Sequence, residues 1–288
     1  MKLELQSISK QYNRKSLAID NLSIKIENGV FGLLAPNGAG KSTLLKIIAT
    51  VVKPSKGTVI LNKDNIIQNP NYMRKNLGFL PQDFGVYPNL TAIEFLRYMA
   101  ALKGVGGSEV DKRINILLDN LNLSDVAKRP ISTYSGGMKQ RVGIAQALIN
   151  DPKVIIFDEP TVGLDPEERV RFRNLISNLA DDRIIILSSH IVSDIESIAD
   201  TIAIMNKGRL IVTGKQDVIT NKVSGKVYEK VIAKKELEKF QSMHLVIDIN
   251  RVKDQLKIRY ISHNRDPESI AKTARLEDSY LYLTSKSA

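Results

Sequence analysis

The chain of 288 residues is 43% apolar and 25% charged, a globular composition with room for one large α/β core and a smaller appendage, or two modest domains. It has no cysteine, which excludes disulfides and thiolate metal sites; its apolar runs are too short to span a bilayer, and Met1-Lys2-Leu3-Glu4 lacks a signal peptide's apolar core, so anything membranous is expected in a partner. The net charge of +11 fits an anionic membrane face, nucleic acid, acidic substrates or an ordinary lysine-rich surface, yet no long basic block or aromatic platform is present, and no direct nucleic-acid binding is expected.

Residues 3–26 alternate apolar and polar side chains in stretches broken at Asn13 and Asp20-Asn21, which predicts antiparallel strands. The run 30–34 predicts a buried strand and 42–50 a helix start. A turn over 54–57 precedes a strand over 58–61, and a strand over 77–80 ends in Pro81-Gln82. From Thr91 to about Asn122 the spacing becomes helical, as at Ile93, Leu96, Met99 and Ala100. With the helix that opens after Ser135-Gly136-Gly137, this makes a helical insert over about 85–150. Residues 154–157 and 184–187 are buried strands separated by a helix that follows Pro166. Such alternation predicts a mostly parallel sheet covered on both faces. Strands over 202–205 and 209–212 close a first domain at residue 214. Residues 215–288 predict a small C-terminal α/β appendage, with strands over 227–231, 245–249 and 256–261 and helices near 234–240 and 267–275.

The segment Ala35-Pro36-Asn37-Gly38-Ala39-Gly40-Lys41-Ser42-Thr43 reads as the phosphate-binding loop G-x-x-x-x-G-K-[ST], with Ala35 where the first glycine would stand. Between a strand and a helix, its small residues let backbone N–H groups turn toward one point, where the helix dipole adds positive potential. Lys41 would reach the β- and γ-phosphates of a nucleotide, and the Ser42 hydroxyl would take one position on Mg²⁺. A glycine-rich turn before a helix is the plainer alternative, so the rest of the chain must decide.

Asp158 and Glu159 stand at the end of the strand 154–157, where open α/β sheets bind ligands. Asp158 would hold Mg²⁺ through a water, and Glu159 would serve as base or orient the attacking water. Gln82 also ends a strand, and its amide could ligate Mg²⁺ or sense the γ-phosphate. His190 closes 184–189 in the same manner and can donate to the γ-phosphate or position water. In Tyr134-Ser135-Gly136-Gly137-Met138-Lys139-Gln140-Arg141, a hydroxyl and two glycines at a helix start form a second anion cradle, unless Ser135 is simply an N-cap. P-loop kinases and small GTPases need only one such cradle.

Taken in order, Tyr12, Pro36 to Thr43, Gln82, Ser135 to Arg141, residues 154–160, Gly163-Leu164-Asp165 and His190 resemble the nucleotide-binding subunit of an ABC transporter over about the first 215 residues. The resemblance implies a P-loop NTPase (RecA-like) α/β core with an antiparallel β subdomain and an α-helical insert, and it implies ATP and Mg²⁺ as ligands. Tyr12 would then stack on adenine, Gln82 would be the Q-loop glutamine, Ser135 to Met138 the signature, Asp165 the D-loop aspartate and His190 the switch histidine. Two copies would dock head to tail, the signature of one covering the γ-phosphate on the P-loop of the other. Three positions depart from the family pattern: Ala35 for glycine, Tyr134 for leucine and Met138 for glutamine. A left-handed Ala35 would cost about 1 kcal/mol, so φ < 0 is expected there.

Within the family, the Tyr134 to Arg141 segment and Leu276-Glu277-Asp278-Ser279-Tyr280-Leu281 resemble bacterial exporter subunits of the bacitracin- and daunorubicin-resistance type. That implies an ATPase at the cytoplasmic face of the membrane, driving export of a drug, antibiotic or peptide-like substrate through separate polytopic membrane subunits. These would dock at Phe84 to Pro88 and the helix from Thr91, although core packing would equally explain Phe84 and Tyr87. The alternative class is a soluble ABC ATPase acting on ribosomes or nucleic acid. The paired nucleotide domains or long coiled coil that such proteins carry are not seen here. A metabolic P-loop kinase would leave the second cradle unexplained.

Overall fold

A computed structural model describes residues 1–13 and 16–285. The chain opens with two long antiparallel strands, β1 (Lys2–Asn13) and β2 (Ser16–Glu27). Asp20-Asn21, expected to break the strand, instead forms a bulge within β2. Asn21 adopts φ 47°, and the pairing shifts by one residue between Ile8 and Lys10 of β1. Asparagine tolerates this left-handed geometry, and the bulge absorbs the extra residue without ending the ladder. β3 (Gly29–Leu34) leads into α1 (Lys41–Ile48). β4 (Lys56–Leu61) and β5 (Asp64–Asn65) complete a first sheet of order β2-β1-β4-β5.

After α2 (Pro70–Asn76) and β6 (Leu77–Leu80) come the insert helices α3 (Ala92–Leu102), α4 (Ser108–Asn120) and α5 (Gly136–Leu148). α3 starts in a capping box in which the Thr91 hydroxyl accepts from the Glu94 N–H while the Glu94 carboxylate accepts from the Thr91 N–H. Then follow β7 (Val154–Asp158), α6 (Pro166–Leu179), β8 (Ile184–Ser189), α7 (Val192–Glu196), β9 (Thr201–Asn206) and β10 (Arg209–Gly214). The second sheet has the order β10-β9-β3-β8-β7-β6, parallel throughout except for β10 at one edge.

Alternate residues of this sheet feed two cores, as the pleat requires. Val30, Leu34, Ile155, Phe157, Ile185 and Leu187 face the insert and the helices after β7. Phe31, Leu33, Val154, Ile156, Ile184 and Ile186 face α1 and the first sheet. Strands that are apolar at every position therefore have both faces buried.

Beyond α8 (Gln216–Thr220) a third, antiparallel sheet forms from β11 (Val227–Ala233), β12 (Leu245–Val252), β13 (Gln255–Ile261) and β14 (Ile270–Ala271), with α9 (Leu237–Met243) packed on one face. The helix expected over 267–275 does not form. Asp266 closes a turn instead, its side chain accepting from the Glu268 N–H at 2.9 Å and its carbonyl from the Ser269 N–H at 3.0 Å. Ile270-Ala271 then extends along the edge of β11. The last helix, α10 (Leu276–Ser285), runs between this sheet and the first domain: Tyr282 packs against Val227 and Ile261, while the contacts with α7 and α8 let Leu276 and Tyr280 join Ile195 and Ile219 in the first core of the second sheet. Among the described residues no helix is long and apolar enough to cross a membrane.

Candidate nucleotide site

Parallel register decides where the chemistry meets. Leu34 lies beside Ser189, Asp158 beside Ser188 and Leu80 beside Phe157, so the residues that leave β3, β6, β7 and β8 emerge along one sheet edge. The 35–40 loop, Gln82, the pair Asp158-Glu159 and His190 therefore come together. A cavity of about 360 Å³ opens there, lined by Pro36 to Gly38, Gly40 to Thr43, Ala18, Gln82 and Glu159. Ala39 is buried, and its carbonyl accepts from the Gly208 N–H at 3.0 Å.

Gly40 takes φ 100°, and a Cβ there would meet the Ala18 carbonyl at 2.4 Å, so only glycine fits this turn. Ala35 is fully buried and lies outside the left-handed region, as expected for an alanine in that place. Its carbonyl is what the loop uses: it accepts from Lys41 Nζ at 2.7 Å. The same ammonium stands 3.3 Å from Glu159 Oε1, and both side chains are buried.

Glu159 has a left-handed backbone, φ 55°, a geometry that costs on the order of 1–3 kcal/mol outside glycine. Its N–H donates to the carbonyl and hydroxyl of Ser188, each at 3.2 Å. Its Oε2 is 2.8 Å from His190 Nδ1 and also accepts from the His190 N–H at 3.3 Å. An ionised carboxylate can only accept, so Nδ1 carries the proton in this contact. Asp158, almost wholly buried, accepts from the Ser188 hydroxyl at 2.5 Å. Ser42 and Gln82 line the cavity and Asp158 ends β7 behind it, and their oxygens are of the kind that a hard divalent cation takes.

The other expected residues lie outside this cavity. Tyr12 is 57% exposed, with the Lys10 ammonium 5.1 Å from its ring centre. Ser135 caps α5, its hydroxyl accepting from the Met138 N–H at 3.2 Å, with Gly136 and Gly137 in the first turn. Asp165 caps α6 by accepting from the Glu168 N–H at 2.9 Å. Two departures from the family pattern are packing residues: the buried Tyr134 donates its O–H to the Val126 carbonyl at 2.7 Å, and Met138 lies against the core. Phe84 packs on α5, where a Cβ on Gly143 would sit 2.5 Å from its ring, whereas Tyr87 is half exposed and meets Tyr98 edge to face at 5.4 Å. Ser188, Thr161 and Asp194 are also buried here and stand in none of the motifs; their one signal in the sequence is a polar residue two to four positions from Glu159 or His190.

The ABC transporter family model matches residues 19–162, half of the chain. The chain belongs to the ABC transporter ATP-binding family. It is 33% identical over 225 residues to the linearmycin resistance ATP-binding protein LnrL of Bacillus subtilis, an alignment covering 77% of this chain and 72% of LnrL. It is 37% identical over 237 residues to ABC transporter A family member 8 of Dictyostelium discoideum, covering 80% of this chain but 28% of that protein, so the chain spans less than a third of that relative's length. Among solved structures, the dimeric ATP-binding cassette MJ0796 in a post-hydrolysis state bound to ADP and Pi superposes with a TM-score of 0.69 at 27% identity, over 74% of this chain and 98% of that one. This ABC ATP-binding chain thus has a P-loop NTPase fold, and the cavity lies against its 35–43 loop.

Proposed function

We propose that this ABC subunit hydrolyses ATP as a head-to-tail homodimer, that Glu159 is the catalytic base, and that hydrolysis drives export through separate membrane subunits. The observation that carries the reading is the chain of contacts from Lys41 to Glu159 to His190 at the mouth of the phosphate loop. The cradle at Ser135, Gly136 and Gly137 lies outside the chain's own cavity, where it can serve a second copy.

On ATP entry Lys41 leaves Glu159 for the β- and γ-phosphates. Glu159 stays aimed by Ser188 and by the His190 Nδ1–H and takes a proton from the attacking water; with Nδ1 so engaged, donation from His190 Nε2 toward the γ-phosphate falls to the imidazolium form. Mg²⁺, held by Ser42, Asp158 and Gln82, would neutralise phosphate charge. The exposed ring of Tyr12 is free to stack on adenine, and Asp165 would meet the partner's site. Dimer closure would move membrane subunits docked on Phe84, Tyr87 and Tyr98. Export is favoured by the name of one relative, the Nod factor export ATP-binding protein I of Ralstonia nicotianae, and a drug-like substrate by that of the linearmycin resistance protein LnrL. The working place would be the cytoplasmic face of the membrane.

Glu159→Gln should still bind ATP and accumulate as a dimer in sedimentation, while its hydrolysis falls by about 10²-fold or more. Turnover at the parent rate would remove Glu159 from the role. Co-purification of the parent with a polytopic membrane subunit supports export, whereas co-sedimentation with ribosomes would point to the soluble class.

A further inference from the structure

Helix α7 begins two residues after His190, and its one buried carboxylate, Asp194, turns back toward the chain leaving β7. Asp194 Oδ2 accepts from the Thr161 hydroxyl at 2.6 Å, and Oδ1 lies 3.6 Å from Arg169 Nη1. Arg169, on the second turn of α6, also donates from Nε to the Leu164 carbonyl at 3.2 Å. Thr161, itself 2% exposed, follows Glu159 by two residues, and Leu164 immediately precedes Asp165. One buried carboxylate thus joins three segments: the one that carries Glu159, the one that leads to Asp165, and the helix that follows His190.

A carboxylate out of water is costly unless its partners are fixed, and directional hydrogen bonds hold a loop to one geometry where apolar contacts allow sliding. Glu159 needs such a constraint, because its left-handed backbone persists only where the surroundings over-determine it. The carboxylate-to-imidazole distance of 2.8 Å depends on how the chain after β7 sits against the chain after β8. The 2.6 Å bond between Thr161 and Asp194 spans the same two segments a few residues further on.

We propose that Asp194 is a positioning residue for ATP hydrolysis: through Thr161 it holds Glu159 in reach of His190, and through Arg169 it ties that geometry to the loop before Asp165. The proposal rests on the reading of Glu159 as the base. Neither Asp194 nor Thr161 lines the nucleotide cavity, so their loss should act on turnover and not on binding.

The test compares Thr161→Val, Asp194→Ala, the double variant and Thr161→Ser in the full chain, with steady-state ATPase kinetics, direct ATP affinity and melting temperature for each. A catalytic group displaced by about 1 Å loses up to 10²-fold in rate, so kcat in Thr161→Val and Asp194→Ala should fall roughly 10- to 100-fold. ATP affinity should stay within about twofold, a shift well under the tenfold that 1.4 kcal/mol represents. The double variant should be no slower than the worse single one, since both break the same bond. Thr161→Ser keeps the hydroxyl and should recover most of the rate. A parent-like kcat in Thr161→Val would overturn the proposal, as would kcat and ATP affinity falling together in step with melting temperature. Glu159→Gln, run alongside, separates the two readings. If it is inactive while Thr161→Val is parent-like, only the clamp fails; if it turns over at the parent rate, the catalytic assignment fails and the clamp with it.

Discussion

At the scale of single residues, the charged groups of the candidate site pair with one another. Lys41 and Glu159 are both buried, and each is the other's counterion, with the Ala35 carbonyl and His190 completing the set. On the proposed reading a phosphate would take the place of Glu159 beside the ammonium, which would then be paired before and after binding. Lys41→Met keeps the length of the stem and removes the charge. It should weaken ATP binding by about 10- to 100-fold, the range that corresponds to 1.5–3 kcal/mol for hydrogen bonds to a charged group. Titration with a fluorescent ATP analogue measures this, and parent affinity in the variant would mean that Lys41 does not contact the phosphates. The main members of the site were legible in the sequence because each stands in a motif at the end of an apolar strand. Thr161 and Asp194 were not, since their bond joins residues that become neighbours only when β7 and β8 pair in register. The backbone of Glu159 was equally hidden, because an αL glutamate follows from its surroundings and not from its residue type.

At the scale of elements, apolar period identified the strands of the second sheet and the insert helices, whereas short segments went astray where local turn chemistry won. Residues 267–275 show why: the Asp266 turn and the open edge of β11 satisfy the backbone that a helix would otherwise have satisfied. The contacts that lock the insert to the sheet are also invisible to periodicity. Lys103, the C-cap of α3, donates its ammonium to the Leu77 carbonyl and to Asn150 Oδ1, both at 2.9 Å, and so ties α3 to β6 and to the residue two beyond the end of α5. Burial pushes this ammonium down from 10.5 to about 8. Below pH 8 both folded and unfolded chains hold the proton, and the full desolvation penalty is present. Between about 8 and 10.5 the unfolded chain binds more protons, so the contribution of Lys103 to stability grows as pH rises through that window. Urea unfolding at neutral pH and near the top of the window, for the parent and for Lys103→Met, should show this. The parent should gain on the variant as pH rises, and an unchanged difference would mean that Lys103 is not desolvated in the fold.

At the scale of the whole molecule, the third sheet is joined to the nucleotide-binding core through α10. Arg259 of β13 grips Asp278 with two hydrogen bonds, 2.8 and 2.6 Å, and reaches the Thr273 carbonyl with the same guanidinium. The Asp278 carboxylate in turn accepts from the Arg275 N–H at 2.7 Å, at the entrance to α10. One face of that helix then fills the core shared with α7 and α8, and the Asn206 side chain donates to the Thr284 carbonyl at 2.9 Å. With charge on one side of α10 and apolar burial on the other, the third sheet is expected to unfold together with the core. Removing one member of a buried ion pair leaves the other without a partner, at a cost of about 3–5 kcal/mol, more than the pair itself contributes over an uncharged replacement. Arg259→Met should therefore destabilise by about that amount. Adding Asp278→Asn, which keeps an oxygen for the Arg275 N–H and removes the stranded charge, should recover much of the loss. Chemical denaturation followed by circular dichroism measures both, and the same curves report on the joint: the parent and the double variant should unfold in one transition. A separate early transition in the parent would mean that α10 does not carry the third sheet's stability into the nucleotide-binding core.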